Sequence, residues 1–212
     1  ADDIMLLAPT VTALQIMLVA CELELKSIGM QINVQKSACM RFGNRYDSPC
    51  SSIISLSGNT LKWVTSFKYL GIVIVSGKRF RCLFDACKKN FFGSFNAIFG
   101  RVGRFASEEV ILHLIRTKCL PVLLYAIEAC PLLSRDVHSF EFVINRCLMK
   151  LFKTSSIVVV NECCDFFGFT PIRLTIETRT VKFLERYISS ENIVCSCFAR
   201  FATAQLNGLR RA

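Results

Sequence analysis

Two aspartates stand side by side at Asp2 and Asp3, directly before the apolar run Ile4-Met5-Leu6-Leu7-Ala8. Like charges at the edge of a dry element are costly unless a cation neutralises them. Oxygen donors with no histidine or cysteine beside them favour Mg2+ or Mn2+ over zinc. A solvated turn ahead of a strand is the competing reading of the same pair. A second pattern is electrostatic: between Lys78 and Arg104, seven basic residues (Lys78, Arg79, Arg81, Lys88, Lys89, Arg101 and Arg104) are offset by Asp85 alone. On a helical wheel Lys78, Arg79, Lys89 and Arg104 lie opposite a phenylalanine stripe. A basic face of that kind suits contact with a phosphate backbone without sequence readout, the alternative being a merely solvated face. The phenylalanines recur at helix-burying spacing, which reads as core rather than as a base-stacking platform.

Other chemistries find little support. His113 and His138 are the two histidines, neither sits in a nucleophile pattern, and no serine occupies a G-x-S-x-G turn. Of the twelve cysteines, Cys163-Cys164 and Cys195-x-Cys197 lack the paired C-x-x-C spacing of a zinc site. Cys119, Cys130 and Cys147 fall at apolar helical positions, so buried reduced thiols in an intracellular protein, nuclear or cytoplasmic, are expected.

These residues must be positioned by a chain of 212 residues carrying a formal charge of +10, 52% hydrophobic and 20% charged. That composition excludes a disordered or collagen-like chain and supports one sizeable core or two small ones. Mean hydropathy is +0.43. The longest uncharged stretch, Ile4 to Cys21, has the minimum length for a membrane span, but Pro9-Thr10 breaks it, and no basic segment precedes it as in a secretion signal. No membrane association is expected. The first residue is not methionine, which reads as part of a longer protein.

The pattern predicts a buried strand at Ile4–Ala8. A helix follows, capped by Thr10 or Thr12, with Leu14, Met17, Leu18, Cys21, Leu25 and Ile28 on one face, a Glu22–Lys26 pair on the other, and Gly29 as its stop. A strand is expected at Met30–Val34, and another at Cys39–Phe42. Residues 41–52 read as a loop, and a hairpin is expected from 53–56 and 61–64 around Ser57-Gly58-Asn59-Thr60. Phe67–Val75 has strand character. From about Lys78 to Phe99 the period becomes helical, with Phe84, Cys87, Phe91, Phe95 and Ile98 on one stripe. Further helices are expected from Ser107 to near Pro121, through Val137, Phe140, Ile144, Cys147 and Leu151, and from a Thr170-Pro171 start to Ile188.

Placed on these elements, several segments resemble one family. Ala1-Asp2-Asp3 followed by Ile4-Met5-Leu6-Leu7 is similar to the end of the Y/F-A-D-D box of reverse transcriptases. Gly29-Met30-Gln31-Ile32-Asn33-Val34-Gln35-Lys36-Ser37 resembles the G-L-x-I-N-x-x-K-T/S box of the non-LTR (LINE-type) retrotransposons. Phe67-Lys68-Tyr69-Leu70-Gly71 is similar to their F-K-Y-L-G primer-grip box, and Leu123-Leu124-Tyr125-Ala126-Ile127-Glu128 to a weaker L-L-Y-G-x-E segment. The boxes occur in family order, and the resemblance thins after about residue 135.

The resemblance implies an α+β fold: a partial polymerase palm of short antiparallel strands plus one helix over 1–76, an all-helical thumb over 77–155, and a helical connecting region over 156–212. It implies catalytic and metal-ligand roles for Asp2 and Asp3 in two-metal nucleotidyl transfer. Lys36 would act on the departing pyrophosphate. Phe67, Lys68, Tyr69, Leu70 and Gly71 would hold the primer, and the basic residues Lys78, Arg79, Arg81, Lys88 and Lys89 would follow the nucleic acid. Partners would be an RNA template, a DNA primer and, in a full-length parent, a dNTP with Mg2+ or Mn2+. The fingers, the first strand of the D-D hairpin and the upstream aspartate motif are not in this sequence. Asp2 and Asp3 are therefore an incomplete ligand set, and the chain alone is expected not to polymerise. A basic, non-catalytic nucleic-acid-binding remnant is the alternative.

Overall fold

The computed structural model describes residues 3–103 and 105–210 and is mixed α+β. It divides into two units, Ala1–Leu83 and Phe84–Ala212.

In the first unit helix α1 spans Val11–Ser27. Thr10 caps it, its Oγ1 accepting from the Ala13 amide at 3.1 Å. Gly29, at φ +73°, ends it. The Gly29 and Met30 amides donate back to Lys26 and Leu25 carbonyls, which closes the last turn and requires a left-handed residue at this position. Strands β1 (Ala38–Cys39), β2 (Ile53–Ile54) and β3 (Thr60–Trp63) form one sheet in the order β1-β3-β2. β2 pairs antiparallel to β3 through the expected hairpin, whereas β1 pairs parallel to β3. Strands β4 (Ser66–Tyr69), β5 (Ile72–Val75) and β6 (Arg81–Leu83) form a second, antiparallel sheet in sequence order.

Several expectations are corrected. Ile4–Ala8 is not a strand: no described strand offers its backbone a partner, and Ile4, Met5 and Leu7 stand exposed. Met30–Val34 is not a strand either, because Asn33 initiates a turn there. Phe67–Val75 is two strands, folded back at Leu70-Gly71. The helix expected from Lys78 begins only at Asp85, because Arg81–Leu83 pairs with the free edge of β5, and that ladder outweighs the helical period. Residues 77–83 therefore belong to the sheet-bearing unit. Glu22 does not serve Lys26; it is buried, and its Oε2 accepts from the Leu56 amide at 2.9 Å.

The interior of this unit is small. Leu18, Cys39, Ile53 and Leu61 are buried together, with Leu6, Val11, Leu14, Ile32, Val34 and Trp63 packed around them. Beside them lies an apolar cavity of about 540 Å³ bounded by Ile4–Leu7, α1 and both sheets. A sealed dry void of 540 Å³ would cost about 13 kcal/mol at roughly 24 cal/mol per Å³, as much as a whole domain's stability. The cavity is instead an open trough, with Ile4 and Leu7 exposed at its rim.

The second unit is helical: α2 (Asp85–Val102), α3 (Glu108–Leu114), α4 (Leu120–Leu123), α5 (Ser134–Leu151), α6 (Ile157–Phe166), α7 (Ile172–Ile188) and α8 (Ile193–Leu209). Between α3 and α4, Ile115–Cys119 forms a π turn in which the Leu120 amide donates to the Ile115 carbonyl. The wider turn runs into α4 just before Pro121, which has no amide proton to give. The stretch Glu108–Ala129 is long and apolar enough to cross a membrane. Ile111, Leu112, Ile115, Cys119, Leu123, Leu124 and Ile127 are nonetheless buried within the unit. Contacts from Lys88 to Ser139 and from Asn96 to Lys150 advance together along the chain, so α2 and α5 run parallel. Of the expected stripe, Phe140, Ile144, Cys147 and Leu151 are buried and Val137 is half-buried. α7 starts at Ile172 behind Pro171, and Thr170 does not cap it.

The β4–β5 turn is a two-residue connection with φ of +46° at Leu70 and +85° at Gly71, the signature of a type I′ hairpin. A leucine there carries a left-handed penalty of roughly 1–2 kcal/mol. Leu70→Asn is expected to raise unfolding free energy by about 1 kcal/mol, and Gly71→Ala to lower it by a similar amount. Urea titration followed by fluorescence of Trp63, the chain's single tryptophan, reads this unit alone.

Candidate nucleic-acid interface

The β4–β6 sheet sorts its side chains by face. Paired residues share a face, so Phe67, Ile74 and Cys82 point one way, and the Lys68–Val73–Leu83 and Ser66–Val75–Arg81 rows point the other. Phe67, Tyr69 and Ile74 line the trough, while Lys68 and Arg81 are exposed on the opposite face. They occupy the two edge strands, with backbones about 12 Å apart from strand spacing and rise. Among the described residues neither cation has a carboxylate within ion-pair distance. The type I′ turn fixes this alternation, because slipping by one residue would send Lys68 into the trough and Phe67 into water. Leu70 and Gly71 hold the turn and are exposed.

Lys36 sits in a separate turn built by Asn33. The Lys36 amide donates to Asn33 Oδ1 at 3.2 Å, and the Ser37 amide and hydroxyl donate to the Asn33 carbonyl at 3.0 and 2.9 Å. Asn33 and Ser37 thus have a local reason for their places, and the Lys36 side chain is left exposed. The turn was readable from an asparagine three residues ahead of the lysine, where strand character was expected instead. Asp2 lies outside the described residues. Asp3 is exposed at the head of an unpaired segment. Its neighbour Ile4 and Lys36's neighbour Ser37 line the same trough. Among the described residues no three His, Cys, Asp or Glu side chains converge on a common point.

The basic run is not one helical face. Lys78 and Arg79 are exposed in the bend before β6, and Arg81 is on the sheet, all three in the first unit. Lys88 is spoken for, its Nζ 2.8 Å from Asp85 and within reach of Ser139 Oγ. Lys89 is exposed on α2. Arg101 occupies the last turn of α2, where a cation suits the helix dipole, and Arg104 lies outside the described residues.

Cys39, Cys119 and Cys147 are buried core residues. Burial pushes the Cys147 thiol up to about 12, the nearby Cys119 adding to the effect and Lys150 opposing it. Burial raises Cys39, Cys87, Cys119 and Cys164 as well. Cys39, Cys119 and Cys147 are unbridged thiols, as is the exposed Cys197. No family model, curated protein or solved structure matches this chain.

Cys147 binds its proton more tightly folded than unfolded. Its contribution to stability is therefore whole below about pH 9 and is lost as pH rises towards about 12. Cys147→Ala is expected to flatten the alkaline limb of a stability–pH curve. In the native protein at pH 8, Ellman's reagent should label the exposed Cys197 and spare Cys39, Cys119 and Cys147.

Proposed function

We propose that this chain is a segment of an RNA-directed DNA polymerase of the non-LTR retrotransposon type, comprising part of the palm, a helical thumb and a connecting region. In this reading the chain by itself holds nucleic acid and does not transfer nucleotides. The observation that carries it is the hairpin formed by the Phe67-Lys68-Tyr69-Leu70-Gly71 segment. Its apolar members face inward, its tight turn falls at Leu70-Gly71, and Lys68 shares the outer face with Arg81. That is the geometry a primer-holding edge needs: a rigid support and unpaired cations at phosphate height. The partners in this reading are an RNA template paired to a DNA primer. Mg2+ and dNTP would join only in a parent that supplies the remaining carboxylates beside Asp2 and Asp3, with Lys36 facing the pyrophosphate.

A non-catalytic remnant that binds nucleic acid through its cations alone is the second reading, favoured by the exposure of Asp3 and by the scattering of the basic residues over two units.

An RNA·DNA hybrid labelled with fluorescein tests the proposal by anisotropy. The chain should bind with a steep salt dependence that Mg2+ does not enhance. Lys68→Gln with Arg81→Gln should weaken binding roughly tenfold and flatten the log–log salt slope by nearly 2, about 0.9 per phosphate contact. The charge-matched control Lys118→Gln with Lys182→Gln should do neither, and equal effects of the two pairs would reject the primer-edge reading. Joining the chain to an upstream palm half separates polymerase from remnant: Asp2→Asn or Asp3→Asn should abolish copying of RNA, and unimpaired copying would leave only the remnant.

A further inference from the structure

We propose that the cleft between α2 and α5 is a seat for one phosphodiester of a single-stranded nucleic acid, gripped by Arg146 and Lys150. The proposal rests on the reading above in taking nucleic acid as the source of the phosphate. It adds a site that the basic-run argument did not reach.

The cleft measures about 450 Å³ and is lined by Phe92, Phe95 and Asn96 of α2, Arg146, Cys147, Met149 and Lys150 of α5, and the following Thr154 and Ser155. Residues 92, 95 and 96 share one face of their helix, and 146 and 150 one face of theirs. The parallel packing of the two helices brings these faces together. No carboxylate is among the lining residues, so both cations look onto uncharged surroundings. Glu141, the acid nearest Arg146 along α5, is already committed to His138 and Arg173.

Lys150 is held in place before any ligand arrives. Its Nζ donates to Asn96 Oδ1 at 3.1 Å and lies 4.8 Å from the Phe99 ring centre and 5.7 Å from that of Phe95. Those two rings are themselves stacked at 5.5 Å. An ammonium fixed over two rings loses little further freedom on meeting an anion. Lys150 also suits the negative end of α5, which would explain it without a ligand. Arg146 lies one turn earlier and has no such explanation: it is exposed, and among the described residues it has no hydrogen-bond or ion-pair partner. A guanidinium and an ammonium on one wall, with Thr154 and Ser155 hydroxyls beside them, match the fork and point contacts of phosphate recognition. Phe92 is half-exposed beside them and off the buried stripe, a surface on which an unpaired base can stack.

The probe is a fluorescein-labelled twelve-residue oligothymidylate, read by anisotropy across a salt series. Arg146→Gln should weaken binding five- to tenfold and lower the salt slope by about 0.7. Arg135→Gln, at an exposed arginine outside the cleft, should change neither by as much. A readout independent of folding comes from phenylglyoxal: the oligonucleotide should slow modification of Arg146 several-fold in peptide mass spectra and leave Arg135 unprotected. Equal effects of the two substitutions, or no protection of Arg146, overturns the cleft assignment. If the cleft variant weakens binding while Lys68→Gln with Arg81→Gln does not, the cleft stands and the primer-edge reading falls; the reverse result does the opposite. A wild-type chain that binds no nucleic acid removes both.

Discussion

Backbone hydrogen bonding at sheet edges is the constraint around which the first unit is organised. Its strands are two to four residues long, so edges outnumber interiors, and each edge leaves amides and carbonyls without a strand beside them. Helix α1 supplies the missing partner with side chains. Gln15 Oε1 accepts from the Ile54 amide at 2.8 Å and its Nε2 donates to the Ile54 carbonyl at 2.7 Å, so one side-chain amide reproduces the two bonds of a neighbouring strand. Two turns further on, Glu22 takes the Leu56 amide. The helix is thereby set at a fixed height over β2, and its apolar residues fall where they roof the trough. The two polar anchors act together with the packing of Leu14 and Leu18 on the core to place this helix face over the sheets.

That arrangement explains which parts of the fold were legible from sequence. Elements whose signals are local came through: the Thr10 cap, the Gly29 stop, the hairpin around Gly58, the Phe140–Leu151 stripe. Elements decided by pairing did not. Ile4–Ala8 has strand composition and no strand to join. Arg81–Leu83 has helical spacing and an open β5 edge next to it. Glu22 has an i+4 lysine and a better partner in an amide 34 positions away. Period and propensity cannot register a competitor that is distant in the chain. The candidate site divides along the same line. The strand character of Phe67–Val75 was readable because apolar composition is local, but its fold-back was not, because Leu70 gives no sign of a positive-φ turn. The single basic face was not, because it assumed that Lys78 to Arg104 were one helix.

The electrostatic picture that replaces it is more distributed. Among the described residues, cations without a carboxylate partner lie on the outer face of the β4–β6 sheet and in the α2–α5 cleft, while Lys88 and Arg101 are used internally by an ion pair and a helix end. Net charge draws a polyanion to the surface, but only cations left free by their own neighbours can hold it. Separating the two classes needed the partners of each side chain, which composition does not contain.

The trough carries a thermodynamic corollary. Apolar surface that water already reaches in the native state adds nothing to the heat capacity released on melting, since that increment measures newly hydrated area. A unit built around such a hollow should have an increment below the norm for its size and a correspondingly flat stability curve. Its resistance to unfolding would then vary little from cold to warm, with no pronounced temperature of greatest stability.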